Sequence, residues 1–544
     1  MKTIAPKLQT LFEGAGFQAY FLIGIGEGHM HLIVCCDGTW NTPDQVEAGL
    51  PAPTNVVKFR NALASMDKDG QEQRPYYHTG VGTDGGLWDR VAGGGMGEGL
   101  DKNIMSGYNW LARNYEPGAK IWLIGFSRGA YTVRSLGGMI SRCGLLKAAE
   151  MDEKTIWSSI EALFRSYRLP EKDTKPAIAS KKMPFHGVKV GDKSKGSIPI
   201  HFVGVWDTVG ALGIPDDLAL LNLLDDPAKH SFHDTNLSPI VANARHAIAI
   251  DETRQSFAPT LWTNVEDRPT VKQIWFPGVH GDVGGGYGRC GLSDGALRWM
   301  IEEARALDLN FRENIEQQLA ADPLGQLHDS VTGVFKSLKT RPRDVPLFSE
   351  DSIALHRSAK DRHNTPPLSQ GDYWKTKRID DGQEVTIDVF ARERWNFSGI
   401  FLEAGKAYKF TAKGEWMDSG ITCAASGSDD GKFHLGEAVQ MASSVWEKGE
   451  LLFTKLTGNH QVDFWYTKRE RDAPWFALIG MVANGVLPEG SADDKLSFAP
   501  HEVFEIGAGT TFTPNKSGYL YAFANDAWQT YENNRGSVKL TVRR

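Results

Sequence analysis

The chain has 544 residues, too many for one ordinary hydrophobic core, so two or more domains are expected. Its 41% hydrophobic and 23% charged residues are those of a soluble globular protein, and a formal net charge of -7 argues against a nucleic-acid partner, which needs a basic face. No run approaches the roughly 18 apolar residues of a membrane span. The short apolar stretch from Ala19 to Gly26 follows Glu13 and has no small-residue cleavage site, so no secretory signal is expected. Cys35, Cys36, Cys143, Cys290 and Cys423 are odd in number and scattered. They form neither a disulfide framework nor a zinc spacing, which fits synthesis in a reducing cytosol.

Residues 1–29 differ in character from the rest, and the folded unit is expected to start at Met30. From about His31 to Leu309, strand-like apolar runs alternate with helical patterns. The predicted strands are Leu32 to Cys36, Pro75 to Thr79, Ile121 to Ile124, Ile198 to Trp206 and Val271 to Phe276. Helices are predicted over Gly99 to Tyr115, Ala130 to Arg142, Ile156 to Tyr167, Pro239 to Ile250 and Leu292 to Leu307. This alternation predicts an α/β fold, a mostly parallel sheet with helices on both faces. Residues 340–380, rich in Pro, Arg, His and Asp, read as a connector or the last piece of that domain. Beyond them short alternating runs recur (Val385 to Phe390, Ala407 to Ala412, Val462 to Tyr466, Tyr519 to Phe523, Ser537 to Val542), a β-sandwich pattern.

One pentapeptide, Gly125-Phe126-Ser127-Arg128-Gly129, stands between a strand and a helix. With 58 glycines in the chain the pattern alone is weak, but strand, G-x-S-x-G, helix is the nucleophile elbow of α/β-hydrolases. A serine hydroxyl needs a base, and the base an orienting carboxylate, in chain order serine, acid, histidine. Asp207 follows the apolar strand ending at Trp206, and His280 follows the strand ending at Phe276. Both sit in glycine-containing loops, which makes Ser127, Asp207 and His280 the candidate catalytic set. The oxyanion would be held by the Arg128 amide and by the Gly38 or Thr39 amide, in the loop Cys36-Asp37-Gly38-Thr39-Trp40-Asn41. Asp37 could brace that loop as well as act in catalysis.

Rivals exist. His246 and Asp251 fall on or just after a predicted helix, His201 inside a strand, and Asp282 two residues from His280. Two further motifs are set aside. Gly80 to Gly85 matches a dinucleotide pattern, but residues 85–97 are too glycine-rich to open a helix, so Gly93 to Gly99 is expected to be a mobile flap. Leu218 to Leu224 reads as a buried helix or a lid over the site.

Together the Cys36-Asp37-Gly38-Thr39-Trp40-Asn41 loop, the elbow, Val205-Trp206-Asp207-Thr208-Val209-Gly210 and Pro277 to Tyr287 resemble the type VI secretion phospholipase effectors. The segment His246 to Arg254 is similar to that family too, and the resemblance covers about residues 31–375. It implies an α/β-hydrolase catalytic domain over 30–380, ester hydrolysis of phospholipids by Ser127, Asp207 and His280, and export into a target cell. Tyr519 to Ser537 resembles the calcium loop of small galactose-binding bacterial lectins. That resemblance implies a β-sandwich over 381–544 and a Ca2+ held by Asp526, Thr530, Asn533 and Asn534 with the Ser419 carbonyl, hard oxygen donors of the kind calcium requires. Residues 437–475 look inserted, and a sugar-contacting loop is only loosely recognisable around His434.

The leading expectation is therefore a serine-dependent lipid esterase acting as a secreted antibacterial or host-directed toxin. It meets phospholipid or another acyl ester at a membrane surface, with a glycan, a secretion adaptor and an immunity protein as further candidate partners and no nucleic acid. An esterase on another acyl ester is the alternative of the same class. A carbohydrate-binding protein on an inactive hydrolase scaffold is the alternative of a different class.

Overall fold

The computed structural model describes residues 30–39, 41–80, 95–148, 151–169, 183–186, 198–210, 236–418, 420–428, 468–486 and 499–544. The N-terminal stretch 1–29, Leu218 to Leu224, His434 and Val462 to Tyr466 lie outside them.

Strand β1 (His31–Cys36) leads through a small hairpin, β2 (Val46–Glu47) and β3 (Leu50–Pro51), to helix α1 (Asn55–Ala62). Then follow β4 (Gln73–His78), α2 (Gly95–Asn114), β5 (Lys120–Phe126), α3 (Arg128–Cys143), α4 (Glu153–Tyr167), β6 (Ile200–Trp206), β7 (Val241–Ala249), β8 (Val271–Phe276), α5 (His280–Gly284), α6 (Gly291–Arg305) and α7 (Arg357–Asn364). Six strands pair in the order β4-β1-β5-β6-β7-β8, every pair parallel. Successive residues of β1 serve opposite faces: Leu32, Val34 and Cys36 enter a core with α2, α3 and α4, whereas Ile33 and Cys35 enter one with α1 and α6. Strands apolar on both faces are the consequence of that double cover.

Two expectations are corrected. Pro239 to Ile250 is not a helix: Val241–Ala249 is β7, between β6 and β8. Alanines at 242, 244, 247 and 249 give a helical propensity, but the run Ala247-Ile248-Ala249-Ile250 is buried without a polar face. Ladder bonds to two neighbours override the local preference. The flap expected at Gly93 to Gly99 is corrected over its described part, since Gly95 to Gly99 open α2. The helix thus extends backward through Gly95, Gly97 and Gly99, each disfavoured in a helix by about 0.5–1 kcal/mol relative to alanine, and the amphipathic part from Leu100 onward must carry that cost. Residues 81–94 lie outside the described part.

The C-terminal strands are β9 (Glu384–Phe390), β10 (Asn396–Leu402), β11 (Tyr408–Lys413), β12 (Glu415–Asp418), β13 (Ile421–Ala424), β14 (Leu478–Ala483), β15 (Glu502–Glu505), β16 (Gly509–Phe512), β17 (Gly518–Ala524) and β18 (Asn534–Arg543). They form two antiparallel sheets, β10-β17-β14-β15 and β13-β12-β18-β11-β16, with β9 added on β18. Their inner faces share one core around Phe410, Trp416, Leu478, Leu520 and Leu540. The two layers meet the parallel sheet's domain through residues 340–374. Phe348 N donates to Tyr519 Oη at 3.0 Å, and Trp374 stacks on Phe348 and sets its ring edge to face with Tyr519.

Candidate active site

The elbow is built from steric necessity. Ser127 adopts φ 57°, ψ -123°, a conformation a non-glycine residue keeps only where its surroundings over-determine it. A Cβ on Gly129 would lie 2.1 Å from Cys36 O, and one on Gly125 would lie 2.6 Å from Gly129 O. Both flanking positions therefore admit only glycine. Ser127 N donates to Trp206 O at 3.1 Å, which ties the turn to the end of β6.

The next residue, Asp207, is fully buried and also has positive φ, 37°. Its Oδ2 accepts from His280 Nδ1 at 2.6 Å. Oδ1 accepts from Ala249 N at 2.9 Å and from Arg343 Nη1 at 2.6 Å, and Oδ2 from Arg343 Nη2 at 2.9 Å. Burial alone would raise its pKa, but the Arg343 charge and the His280 bond outweigh burial and hold the carboxyl well below the usual carboxylate range. Because Nδ1–H is held by Asp207, Nε2 is the nitrogen left to accept a proton. Burial lowers the His280 pKa below its ordinary 6.5, with the Asp207 bond working the other way. The imidazole packs on Phe126, the residue before Ser127, with ring centroids 4.6 Å apart, and against Phe257 at 4.9 Å. Asp207 and His280 are thus paired at the carboxyl ends of β6 and β8, and Ser127 follows the end of β5, next to Phe126, on which His280 packs.

The oxyanion candidates divide. Arg128 is the first residue of α3, where a backbone N–H has no acceptor four residues back in the helix. Gly38 N donates to Asp37 Oδ1 at 2.7 Å, so that amide is already engaged and Thr39 remains the candidate of the pair. Asp37 also accepts from Thr54 Oγ1 and Tyr77 Oη at 2.7 and 2.8 Å, which makes it the brace of the loop. Burial pushes its pKa up to about 6.

The rivals turn out to be supports. His246, on β7, accepts from Thr208 N through Nε2 at 3.1 Å and steadies the Asp207 loop, and burial lowers its pKa to about 3. Asp251 accepts from Gly278 N, Tyr373 Oη and Trp374 Nε1 and so fixes the loop leading into His280. Asp282 accepts from Val279 N and from the His328 amide, both at 3.1 Å. His201 Nε2 donates to Leu307 O at 3.2 Å and the ring packs on Trp122, as a core histidine would. Arg343 lies in a loop with no motif spacing and had no legible signal; the Glu252–Arg254 pair beside the His280 amide falls in the family-like segment His246 to Arg254, where no role was assigned to it.

The sequence profile described as the T6SS phospholipase effector Tle1-like catalytic domain matches residues 30–303, half of the chain. The chain belongs to this Tle1-like family. A curated relative, the uncharacterized protein YEL023C of Saccharomyces cerevisiae, is 29% identical over 268 residues, 45% of this chain and 34% of its own length. The chain thus spans about a third of that relative. Among solved structures, the Tle1 effector bound to the VgrG spike of the type VI secretion system is 18% identical, with TM-score 0.28 over 48% of this chain and 52% of that one. A PllA-like lectin, the EclA N-terminal domain, is 14% identical, with TM-score 0.17 over 29% of this chain and 94% of its own. Among the described residues no helix is long and apolar enough to cross a membrane.

This family member's sandwich carries the second candidate set at the β17–β18 turn. Asp526 is buried; its Oδ2 accepts from Asn534 Nδ2 and its Oδ1 from Ala527 N. Asn533 Nδ2 donates to Asp418 Oδ1 at 2.8 Å, and Thr530 Oγ1 donates to Ala527 O at 2.9 Å. Asn534 Oδ1 is buried and has no hydrogen-bond partner among the described residues. A buried acceptor oxygen on the residue that bonds the Asp526 carboxylate is the kind of group a hard cation would satisfy. Ser419 lies outside the described residues.

Proposed function

We propose that the chain is a serine-dependent carboxylic ester hydrolase that cleaves phospholipid acyl esters, exported by a type VI secretion system into a target cell. The observation that carries the reading is the 2.6 Å His280 Nδ1–Asp207 Oδ2 bond beside a strained serine elbow. Ser127 Oγ attacks the ester carbonyl while its proton passes to His280 Nε2, and Asp207 stabilises the imidazolium. The Arg128 and Thr39 amides face the oxyanion. Collapse of the tetrahedral intermediate breaks the ester bond, and His280 returns the proton to the leaving alcohol. Water then repeats the sequence on the acyl-enzyme and frees the fatty acid. Family membership supports the lipid substrate and the export route.

A carbohydrate-binding protein on a dead scaffold would not need a buried Asp207 held by both Arg343 and His280. The test is fatty-acid release from mixed phospholipid vesicles by wild type and Ser127→Ala. Release by wild type alone supports the reading, and equal release by both would reject it.

A cation in the sandwich is the second part of the proposal, favoured by the orphaned Asn534 oxygen. Asp526, Thr530, Asn533 and Asn534 would hold it with the Ser419 carbonyl. Bound calcium would lock the β17–β18 turn and offer open coordination to glycan hydroxyls. The secretion adaptor and the immunity protein are proposed partners on family grounds alone.

A further inference from the structure

We propose that Arg343 is a positioning residue for ester hydrolysis, and that the C-terminal sandwich sets it by gripping the adjoining Pro342 with His501. The inference rests on the serine-hydrolase reading above, and it assigns a catalytic dependence to a segment beyond the matched residues 30–303.

The geometry is specific. Arg343 is 5% exposed and donates four hydrogen bonds at its two terminal nitrogens: one to each oxygen of Asp207, one to Ala249 O at 2.6 Å and one to Phe257 O at 2.7 Å. It therefore fixes the carboxylate in plane and ties it to the end of β7 and to the Phe257 segment, whose ring rests on His280. A bidentate guanidinium does this where an ammonium could not.

What holds Arg343 comes from the other domain. Asn484 N and Gly485 N both point at His501 Nδ1, at 3.1 Å each, so the imidazole proton sits on Nε2. From there it donates to Pro342 O at 2.8 Å. Burial keeps this histidine neutral, with a pKa near 3. Arg341 donates to Ala499 O, and Trp395 Nε1 donates to Thr340 Oγ1 at 2.9 Å. Thus the sandwich pins the two residues before Pro342 as well as Pro342 itself.

The charges facing the pair decide the sign of a pH effect. His280 faces Asp207 from the loop after β6 and Glu252 and Arg254 from the segment after β7; Asp207 faces Arg343, His280 and the neutral His246. Removing the Arg343 charge leaves Asp207 less neutralised, so it holds a proton on His280 more strongly. The acid limb of kcat/KM then moves to higher pH.

The full chain is assayed on a soluble short-chain ester, with Ser127→Ala as the control for the enzymatic reading itself. Arg343→Gln is expected to lower kcat about tenfold to a hundredfold with KM within about threefold, as a misplaced catalytic group does. Its acid limb should move up, and the low-field Nδ1 proton resonance of His280 should shift or vanish. His501→Ala should move all three readouts in the same direction by less, and His501→Gln, which keeps a donor for Pro342 O, should restore them. A folded Arg343→Gln with wild-type kcat and acid limb overturns the inference. If Arg343→Gln does not fold, His501→Ala decides: unchanged kcat and acid limb in that folded variant overturn the inference. If wild type itself shows no Ser127-dependent turnover, the hydrolase reading fails, and the His280 resonance still reports whether Arg343 and His501 order the pair.

Discussion

Replacing Asp207 by Asn changes one atom and tests the whole constellation. Four donors converge on two oxygens: Ala249 N–H and Arg343 Nη1 on Oδ1, His280 Nδ1–H and Arg343 Nη2 on Oδ2. An amide offers only one acceptor oxygen. If its NH2 takes the Oδ1 place, it faces two N–H groups and repels both. If it takes the Oδ2 place, His280 must move its proton to Nε2, and the nitrogen that should receive the Ser127 proton becomes a donor. Either way the buried Arg343 loses its counter-charge, an imbalance that costs about 3–5 kcal/mol. Loss of the correct tautomer costs about 10^4-fold in kcat. The assay is turnover of a soluble ester beside urea unfolding. A folded Asp207→Asn enzyme turning over within about tenfold of wild type would refute the assigned geometry.

Further expectations concern packing, pH and metal. A Cβ on Gly284 would lie 1.9 Å from Phe126 Cε2, and that buried ring also carries His280, so Gly284→Ala should lower kcat by about a hundredfold at little cost in KM; unchanged kcat would count against the stacking role. Because burial lowers the His280 pKa, and a protonated Nε2 cannot accept from Ser127, the acid limb of kcat/KM should fall below pH 6.5; a limb well above it would contradict the buried imidazole. Burial raises the Asp526 pKa to about 6, so its contribution favours the fold below the ordinary carboxylate value of 3.8 and is lost as pH rises through about 6, roughly 3 kcal/mol in all. Calcium binds the ionised form, so added calcium should raise the melting temperature of the full chain most at pH 7, and Asp526→Ala should abolish the gain. Equal melting with calcium and with chelator in wild type would exclude the site.

How much was legible follows from how local each signal is. The elbow could be read because its turn imposes glycine at fixed offsets from one serine, and the flanks of Ser127 announced a strand and a helix. Asp207 and His280 could be read because each ends an apolar strand and opens a glycine-containing loop. β7 could not, since alanine-rich sequence favours a helix in isolation and only the two flanking strands make it a strand. The Gly38 amide was a reasonable oxyanion donor until the fold aimed the Asp37 carboxylate back at it.

Sequence by itself determined the alternation of strands and helices, the order of the three candidate catalytic residues and the change to sandwich pattern near residue 380, because each rests on neighbours within a dozen positions. Tertiary structure alone supplied the second partner of Asp207, Arg343, which lies 136 residues away. No local pattern encodes such a meeting, because it exists only once the parallel sheet has brought its strand ends together and a second domain has pressed the connector against them.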